Sequence, residues 1–581
     1  MYLTEDMSPE EKQIVIEKLG LNKSMPEQYW AWLKEALQGN FGVSLSYKTP
    51  VAPMLLKRLP STILLMGCSL VVSLALSIPL GLIAGYKKNT WVDNVISGFA
   101  YFGMSIPSFY FGMLMIILFT ATLHILPSSG MHTVGVNTPL DTIQHMLMPV
   151  MTMALGTMAS KTRYVRANTI GQLSEEYVLA AKAKGTSPWQ ILRKHVLKNT
   201  LLPIITILGM NMASLVCGSF IIESVFGWPG VGSFAITQSS WRMLCCPASF
   251  WLWATLSPMF CIPLQTQESK GGSMQPMENK IVFDERSFQR IEKKEKDLGT
   301  VYHRSLWKDI VSEIKSNPVA IFAVIFLIII IVASLLAPLS PYDPNKLDLA
   351  NKFAAPSMQH PFGCDEYGRD YFTRALYGGR VSLMVGFAAM LVTVFIGTTI
   401  GIFSGYIGGK LDMLLMRFTD IFLALPSMLL MIVLNTILKP GMTTLILVLS
   451  LFSWASVARI TRAETMSLKE RDFVVASKNL GAGNVLIAVQ HILPNILGPV
   501  IVAASLGVAS AILTESSLSF LGLGISIPYA SWGSMLQAAQ AHILDKPILA
   551  IYPGLLILLT VLSFNILGDV LRSALEPKIV K

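Results

Sequence analysis

The sequence predicts an all-α, polytopic membrane protein built from two homologous units in tandem. Hydrophobic residues make up 52% of its 581 residues and charged residues 14%, and the mean hydropathy is +0.56. A water-soluble protein needs a polar surface and rarely reaches such values. Long apolar segments, and one motif that occurs twice in the same register, support the same prediction.

The apolar segments have the length of membrane helices. Crossing about 30 Å of hydrocarbon at about 1.5 Å per residue takes roughly 20 residues. Segments of this kind lie at 61–84, 100–126, 146–162, 202–222, 319–338, 382–405, 419–438, 442–458, 497–514 and 548–568. We therefore expect about ten spans. An eleventh, at 241–264, would insert poorly, because Arg242 lies at one end and Pro247, Pro258 and Pro263 interrupt it.

A polar motif between apolar segments occurs twice, 296 positions apart. Its first copy contains Arg163, Arg166, Ala167, Gly185, His195, Asn199 and Pro203, and its second contains Arg459, Arg462, Ala463, Gly481, His491, Asn495 and Pro499. Unrelated loops would not keep one register over some forty residues. The chain is therefore expected to be a fusion of two homologous membrane units.

The distribution of basic residues predicts the orientation. They follow the first predicted span and begin both copies of the repeated loop, whereas 126–144 and 223–240 contain no Lys or Arg. The positive-inside bias then places both repeated loops in the cytoplasm. The net charge of +10 follows from this bias, and because the cations flank spans we expect no nucleic-acid partner.

Each repeated loop is predicted to form two short helices. Glu175 to Lys184 and Glu470 to Leu480 are amphipathic, and each is followed by a glycine that can adopt the left-handed conformation of a helix end. We expect small residues, namely Ala180, Ala181 and Ala476, to share a face that enters a groove on another protein. The alternative is an amphipathic hairpin on the bilayer surface, held by Lys182, Lys184, Arg193 and Lys194.

The two loops resemble the EAA loops of ABC importer permeases, in the variant of the dipeptide, oligopeptide and nickel group. The matching stretches are EYVLAAKAKG at 176–185 with HVLKN at 195–199, and DFVVASKNLG at 472–481 with HILPN at 491–495. The glutamate that names the motif is replaced by Leu179 and Val475. By this resemblance, the loops carry coupling helices that sit in clefts of the ATPase subunits. The implied coupling residues are Glu176, Tyr177, Ala180, Ala181, Lys184, Gly185, His195 and Asn199 in the first loop, and Asp472, Phe473, Ala476, Ser477, Gly481, His491 and Asn495 in the second.

Further motifs distinguish the units. QYWAWLKEALQGNFGVS at 28–44 and ESVFGWPGVG at 223–232 resemble a B-type peptide permease, whereas HPFGCDEYGRD at 360–370 and YGGRVS at 377–382 resemble a C-type permease. The resemblance implies two ABC type I importer permease units of about five to six helices each. We expect a B-type unit lacking its first helix at 1–240, an aberrant junction at 241–276, a charged cytoplasmic leader at 277–316 and a C-type unit at 317–581.

The junction departs from the family pattern. Residues 241–272 contain three of the six cysteines and three of the 11 tryptophans of the chain, where a final helix and a short basic tail are expected. We hypothesise that this segment is translated in a shifted reading frame, with Met274 or Met277 as the natural start of a separate C-type subunit. Nucleotide sequencing of the junction tests this hypothesis, and an intact frame there would refute it.

The resemblance implies a translocation path for di- or oligopeptides in a bacterial cytoplasmic (inner) membrane, in contact with membrane lipid. The implied partners are two ABC ATPase subunits, which bind the ATP and Mg, and an extracytoplasmic substrate-binding protein. A nickel or metal-chelate permease is an alternative. The chain itself is expected to be no enzyme, with no cofactor, no catalytic residue and no metal site, because it has no phosphate-binding loop and its cysteines lack metal-ligand spacing. Substrate-binding residues are not predicted.

Two rival classes of protein fit the sequence less well. An ion-coupled secondary transporter needs charged or strongly polar residues near mid-membrane, and the predicted spans contain few. An intramembrane protease needs a nucleophile and an oriented base inside helices. His124 is the nearest candidate base, but no carboxylate lies beside it in sequence to orient its ring.

Overall fold

The computed structural model describes residues 24–43, 49–136, 138–201, 204, 220–234, 306–425, 427–438, 440–525 and 528–575. Within these ranges the regular structure is helical, apart from two isolated β-bridges, Val43 with Pro50 and Cys364 with Asp370. The predicted all-α class is confirmed. The junction and most of the leader at 277–316 lie outside the described residues, as does most of the predicted span 202–222.

The helices of the first repeat are α1 Met25–Leu37, α2 Val51–Tyr86, α3 Trp91–Ser105, α4 Ser108–Met115, α5 Pro139–Leu173, α6 Glu176–Ala183, α7 Pro188–Gln190 and α8 Phe220–Val225. Those of the second are α9 Leu306–Ser316, α10 Pro318–Leu335, α11 Tyr371–Ile407, α12 Gly409–Ala424, α13 Ser427–Ile437, α14 Met442–Lys469, α15 Asp472–Asn479, α16 Asn484–Leu486, α17 Leu493–Phe520, α18 Trp532–Gln540 and α19 Ile548–Leu575. Three π-helical stretches extend α4, α7 and α16, at Ile116–Thr122, Ile191–Val196 and Ile487–Ile492.

Most of the predicted spans are found as long apolar helices. Among the described residues, six helices are long and apolar enough to cross a membrane: α2, α10, α11, α14, α19 and the continuous helix Asn484–Phe520. Two bent pairs of helices, α3 with α4 and α12 with α13, pass the same test of length and apolarity when each pair is taken together. Helix α5 contains the predicted span 146–162 but is not in this apolar set.

The predicted spans at 100–126 and 419–438 overlap bent pairs of helices. Each is part of a bent pair that begins earlier in the sequence, with a bend of 102° between α3 and α4 and 82° between α12 and α13. Pro107 lies at the first break and has φ −59°. Because proline lacks an N–H and its ring clashes with the preceding turn, it interrupts an otherwise apolar helix.

Close helix packing repeats between the two halves. Helix α2 lies against α5, and α11 lies against α14. A Cβ on Gly81 of α2 would lie 2.5 Å from the Cβ of Val165, and one on Gly401 of α11 would lie 2.6 Å from the Cβ of Thr461. Glycine lets two helix backbones approach at both places, as is common between membrane helices.

The two repeats share one hydrophobic core. Helix α19 of the second repeat packs on α3 and α4 of the first, where the Tyr110 hydroxyl donates to the Ile551 carbonyl (3.4 Å) and Asn565 Nδ2 donates to Ser105 Oγ (3.0 Å). Phe109 and Phe520 stack with ring centroids 4.7 Å apart. The described halves therefore form one packed body in the membrane.

Candidate functional site

Both repeated loops have the same backbone structure. After a long helix ends at Leu173 or Lys469, a short helix follows, α6 or α15. The next glycine is left-handed in each case, with φ +74° at Gly185 and +86° at Gly481. Gly185 N–H donates to the Lys182 carbonyl (3.0 Å) and Thr186 N–H to the Ala181 carbonyl (3.2 Å).

The second loop repeats these hydrogen bonds. Gly481 N–H donates to Lys478 (3.0 Å) and Ala482 N–H to Ser477 (3.1 Å). This pair of bonds is the Schellman motif, in which a left-handed residue closes a helix and satisfies its last carbonyls. The predicted glycine conformation is confirmed. A second helical stretch follows each glycine, as expected, at Pro188–Val196 and Asn484–Ile492.

An apolar cluster holds the two short helices of each loop together. In the first loop it contains Val178, Ala181, Ile191, Leu192 and Val196. In the second, Val474 packs with Ile487, Ile492, Ile496 and Val500. These clusters fix the angle between the two helices of each loop.

The expectation that the small residues share one face is wrong. Ala181 is only 8% exposed and packs in the cluster, whereas Ala180 and Ala476 are exposed. Consecutive helical residues are about 100° apart around the axis, and Ala181 lies one turn after the buried Val178. The outward face carries Leu179, which is 54% exposed, and in the second loop Phe473 and Val475, each 43% exposed.

The other predicted coupling residues lie mostly on the surface of the loops. Exposed residues are Glu176, Lys184, Gly185 and His195 in the first loop and Asp472, Phe473, Gly481 and Asn495 in the second. Tyr177, Asn199, Ser477 and His491 are half-buried. The structure thus brings the predicted residues of each loop together in one compact element.

The repeated histidine lies beside an aromatic residue of the short helix in both loops. The ring centroids of Tyr177 and His195 are 6.5 Å apart, and those of Phe473 and His491 are 6.3 Å apart. His491 Nε2 also lies 3.1 Å from Ser477 Oγ. Both histidines therefore connect the second helical stretch to the first.

Sequence analysis missed a pair of ionic contacts at the base of the loops. Arg166 on α5 forms a two-point contact with Asp93 on α3, through Nε–Oδ1 (2.5 Å) and Nη2–Oδ2 (2.7 Å). Arg462 on α14 contacts Asp412 on α12 in the same way, at 2.5 and 2.6 Å. The aspartates are 319 positions apart, whereas the loop residues repeat at 296 positions. A comparison at the spacing of the loops therefore does not pair them. We call these two ion pairs the clamps.

The opposite ends of the spans also contain a repeated contact, centred on a buried glutamate. Thr62 Oγ1 donates to Glu223 (2.9 Å) and accepts from Val231 N–H (2.9 Å), and Ser233 N–H donates to the second carboxylate oxygen of Glu223 (2.8 Å). In the second repeat, Ser382 Oγ donates to Glu515 (2.9 Å). Thr62 and Ser382 each lie eleven residues after the first residue of their helix.

In the part of the chain that the structure describes, Glu223 belongs to the short helix α8 and to none of the candidate membrane spans. Burial raises the pKa of Glu223 from 4.5 to about 7, although hydrogen bonds from Ser233, Thr62 and Gly232 act in the opposite direction. Its carboxylate packs closely on Gly230, where a Cβ would lie 2.3 Å from Glu223 Cδ. This contact holds the segment that follows α8 against α2.

Comparison with known proteins identifies the family. Residues 77–260 and 397–581 both match the family described as binding-protein-dependent transport system inner membrane component. Residues 305–356 match the N-terminal TM domain of oligopeptide transport permease C.

Named relatives match about half of this chain and nearly the whole of their own. The oligopeptide transport system permease protein OppC of Bacillus subtilis (strain 168) is 39% identical over 278 residues, 48% of this chain and 91% of OppC. The dipeptide transport system permease protein DppC of Alkalihalophilus pseudofirmus is 41% identical over 278 residues, 47% of this chain and 90% of DppC. DppC of Bacillus subtilis is 38% identical over 322 residues, 55% of this chain and 99% of that protein. The chain therefore belongs to the binding-protein-dependent transport system inner membrane components, as a multi-pass membrane protein with two copies of the family domain.

Proposed function

We propose that this chain forms the translocation path of an ABC importer for di- or oligopeptides and couples it to separate ATPase subunits. The observation that carries the proposal is the pair of repeated loops. Each presents a short helix with an exposed apolar patch, closed by the same Schellman motif and supported by its own apolar cluster. A helix of this kind fits a groove on a partner protein.

Two ATPase subunits would dock on the two loops, one at 175–199 and one at 471–495. ATP and Mg would be bound by those subunits, and the chain would catalyse no reaction itself. A hairpin lying on the bilayer surface is less well supported, because the outward faces of α6 and α15 contain both apolar and charged side chains without a basic stripe common to the two loops.

The loops would face the cytoplasm, in agreement with the basic residues at their base. An extracytoplasmic binding protein would then dock on the other side, on segments around 223–240, 338–380 and 515–547. The buried glutamate contacts lie in or beside two of these segments. They support a surface of defined shape there, since Glu223 holds the segment that follows it against α2.

Peptide is the proposed substrate because the related proteins are named as oligopeptide, dipeptide and glutathione permeases. A nickel or metal-chelate substrate is the second candidate, on the resemblance of the loops alone. The named relatives match about half the chain and include the C-type permeases OppC and DppC. The B-type assignment of 1–240 rests on the motifs at 28–44 and 223–232.

Reconstitution tests this function. The full chain is placed in proteoliposomes with its candidate ATPases and binding protein, and uptake of a labelled dipeptide and ATP hydrolysis are measured together. We expect uptake that requires ATP, and hydrolysis stimulated by the peptide-loaded binding protein. Uptake that continues without ATP and stops when the ion gradient is dissipated would refute the proposal in favour of a secondary carrier.

A further inference from the structure

The two clamps lie where each repeated loop joins the membrane helices. Arg166 and Arg462 are each seven residues, about two turns, before the end of the helix that leads into the loop. Their aspartate partners lie near the start of α3 or α12, the first helix of each bent pair. Each clamp thus joins the support of a coupling helix to the first part of a bent span.

The clamps are more buried and better aligned than a neighbouring ion pair. The side chains of Arg166 and Asp93 are 29% and 2% exposed, and those of Arg462 and Asp412 are 28% and 15% exposed. Arg459 and Asp420, one turn away on α14 and two turns away on α12, are 56% and 47% exposed and meet through one nitrogen. A two-point guanidinium–carboxylate contact fixes orientation as well as distance.

A third helix in each repeat, α2 or α11, packs closely beside the arginine of the clamp. A Cβ on Gly85 of α2 would lie 2.6 Å from the Cβ of Thr169 and 3.0 Å from the carbonyl oxygen of Arg166. A Cβ on Gly405 of α11 would lie 2.8 Å from the carbonyl oxygen of Arg462. The helix before each coupling loop, α5 or α14, is therefore in close backbone contact with α2 or α11. On another side it is joined to α3 or α12 by the clamp.

The bent spans lead away from the clamps to different parts of the protein. Helix α3 turns by 102° into α4, which packs on α19 of the second repeat through Tyr110. Helix α12 turns by 82° into α13, whose Leu429 and Ile432 belong to an apolar cluster that contains residues of α14 and also Phe220 and Val231 of the first repeat. A displacement of the first loop would thus reach the other repeat directly.

We propose that Asp93, Arg166, Asp412 and Arg462 are positioning residues for coupling. Each clamp makes the coupling helix, the helix before it and the first half of the bent span move as one rigid unit, so that movement of an ATPase subunit changes the position of the span. This inference rests on the proposed importer function. Beyond that function, it identifies the side chains that transmit movement of the ATPase subunits to the membrane helices.

The first test replaces one carboxylate at a time. In the reconstituted complex, Asp93→Asn and Asp412→Asn should each lower peptide uptake per ATP hydrolysed by roughly tenfold, within the usual range of coupling between two sites. The ATPase subunits should still co-purify, because the clamps lie below the docking surface. Asp412→Glu keeps the carboxylate and should restore at least part of the coupling, and Asp420→Asn in the exposed pair is the matched control and should leave the ratio unchanged.

Unchanged uptake per ATP in both clamp variants would overturn the inference. A wild-type chain that neither binds ATPases nor shows ATP-dependent uptake would instead overturn the importer function itself. These two failures are distinguishable, because only the second is seen without any substitution.

A second measurement needs no change to the clamps. In a cysteine-free background, spin labels at Lys410→Cys and Lys478→Cys report the distance from the start of α12 to the coupling helix α15, since both side chains are exposed. Labels at Lys182→Cys and Lys478→Cys report the distance between the two coupling helices. On trapping ATP in the complex, the first distance should stay constant while the second changes. An equal change in both would overturn the inference.

Discussion

Arg163 Nη2 lies 3.0 Å from Asp569 Oδ2, and this ion pair joins the two repeats at the side of the coupling loops. Arg459 has the same position in the second repeat but pairs with Asp420 of its own repeat, at 2.7 Å. One difference in sequence accompanies this change of partner. Tyr101 is the counterpart of Asp420, since these two residues are separated by the same 319 positions as Asp93 and Asp412. The Cζ atom of Arg163 lies over the Tyr101 ring, 4.3 Å from the ring centroid.

Removing this contact between the repeats should destabilise the protein. Because Arg163 and Asp569 are only 31% and 21% exposed, we expect Asp569→Asn to cost about 1 to 2 kcal/mol. The exposed control Asp420→Asn should cost no more than about 0.5 kcal/mol. Thermal unfolding of the two variants in detergent, followed by size-exclusion chromatography, measures the difference. Equal stability of both variants would contradict a role for Arg163 in joining the repeats.

The left-handed glycines of the coupling loops should not tolerate a β-branched residue. Gly185→Val and Gly481→Val force a left-handed conformation that costs roughly 1 to 2 kcal/mol for an L-residue and more for a branched one. We expect the chain to remain in the membrane while ATP hydrolysis no longer drives uptake. Gly171→Val is the matched control, since Gly171 lies in α5 before the docking segment, is not left-handed and has open space around its Cβ position. Normal uptake in both loop variants would remove the docking hypothesis.

Glu223 should make stability depend on pH near neutrality. Its pKa rises from 4.5 to about 7 on folding, so the folded state binds the proton more tightly than the unfolded state. Stability from this group is complete below about pH 4.5 and is lost as the pH rises from there through about 7, by an amount on the order of 3 kcal/mol. Apparent melting temperatures at pH 5.5 and 8 should differ less in Glu223→Gln than in the wild type. The exposed control Glu470→Gln should keep the wild-type difference, and an unchanged pH dependence in Glu223→Gln would show that another group causes it.

The contact between α2 and α5 should be sensitive to one methyl group. Gly81→Ala would place a Cβ 2.5 Å from that of Val165, and such overpacking costs about 1 to 3 kcal/mol. Gly67→Ala on the same helix meets nothing within 4 Å and should be neutral. Thermal stability of the two variants in detergent compares them directly. A neutral Gly81→Ala variant would mean that the helices can separate at this level without cost.

Whether the two units are made as one chain is testable on a gel. With an epitope tag at each end, the fusion predicts a single membrane-bound band near 63.7 kDa that carries both tags. The hypothesis of a shifted reading frame at 241–276 predicts a shorter C-terminal product that starts near Met277. A blot of membranes with both antibodies separates the two outcomes.

Sequence alone determined the features of this protein that depend on neighbouring residues. Apolar segments such as 382–405 and 548–568 form long helices because their backbone groups must be satisfied within the segment in lipid. Gly185 and Gly481 close their helices because the left-handed conformation is a local property of glycine. The two loops were also identified from the sequence, because their matching residues keep a constant spacing of 296 positions.

Only the tertiary structure decided which distant side chains meet. Ala181 points inward because Val178 and Ile191 pack beside it, whereas Ala180 is exposed. Asp93 meets Arg166, and Arg163 meets Asp569, because helix packing places their charges in partly buried sites where each requires a partner. The two repeats have the same loops, but their ion pairs differ because α19 packs on the first repeat and brings Asp569 to Arg163.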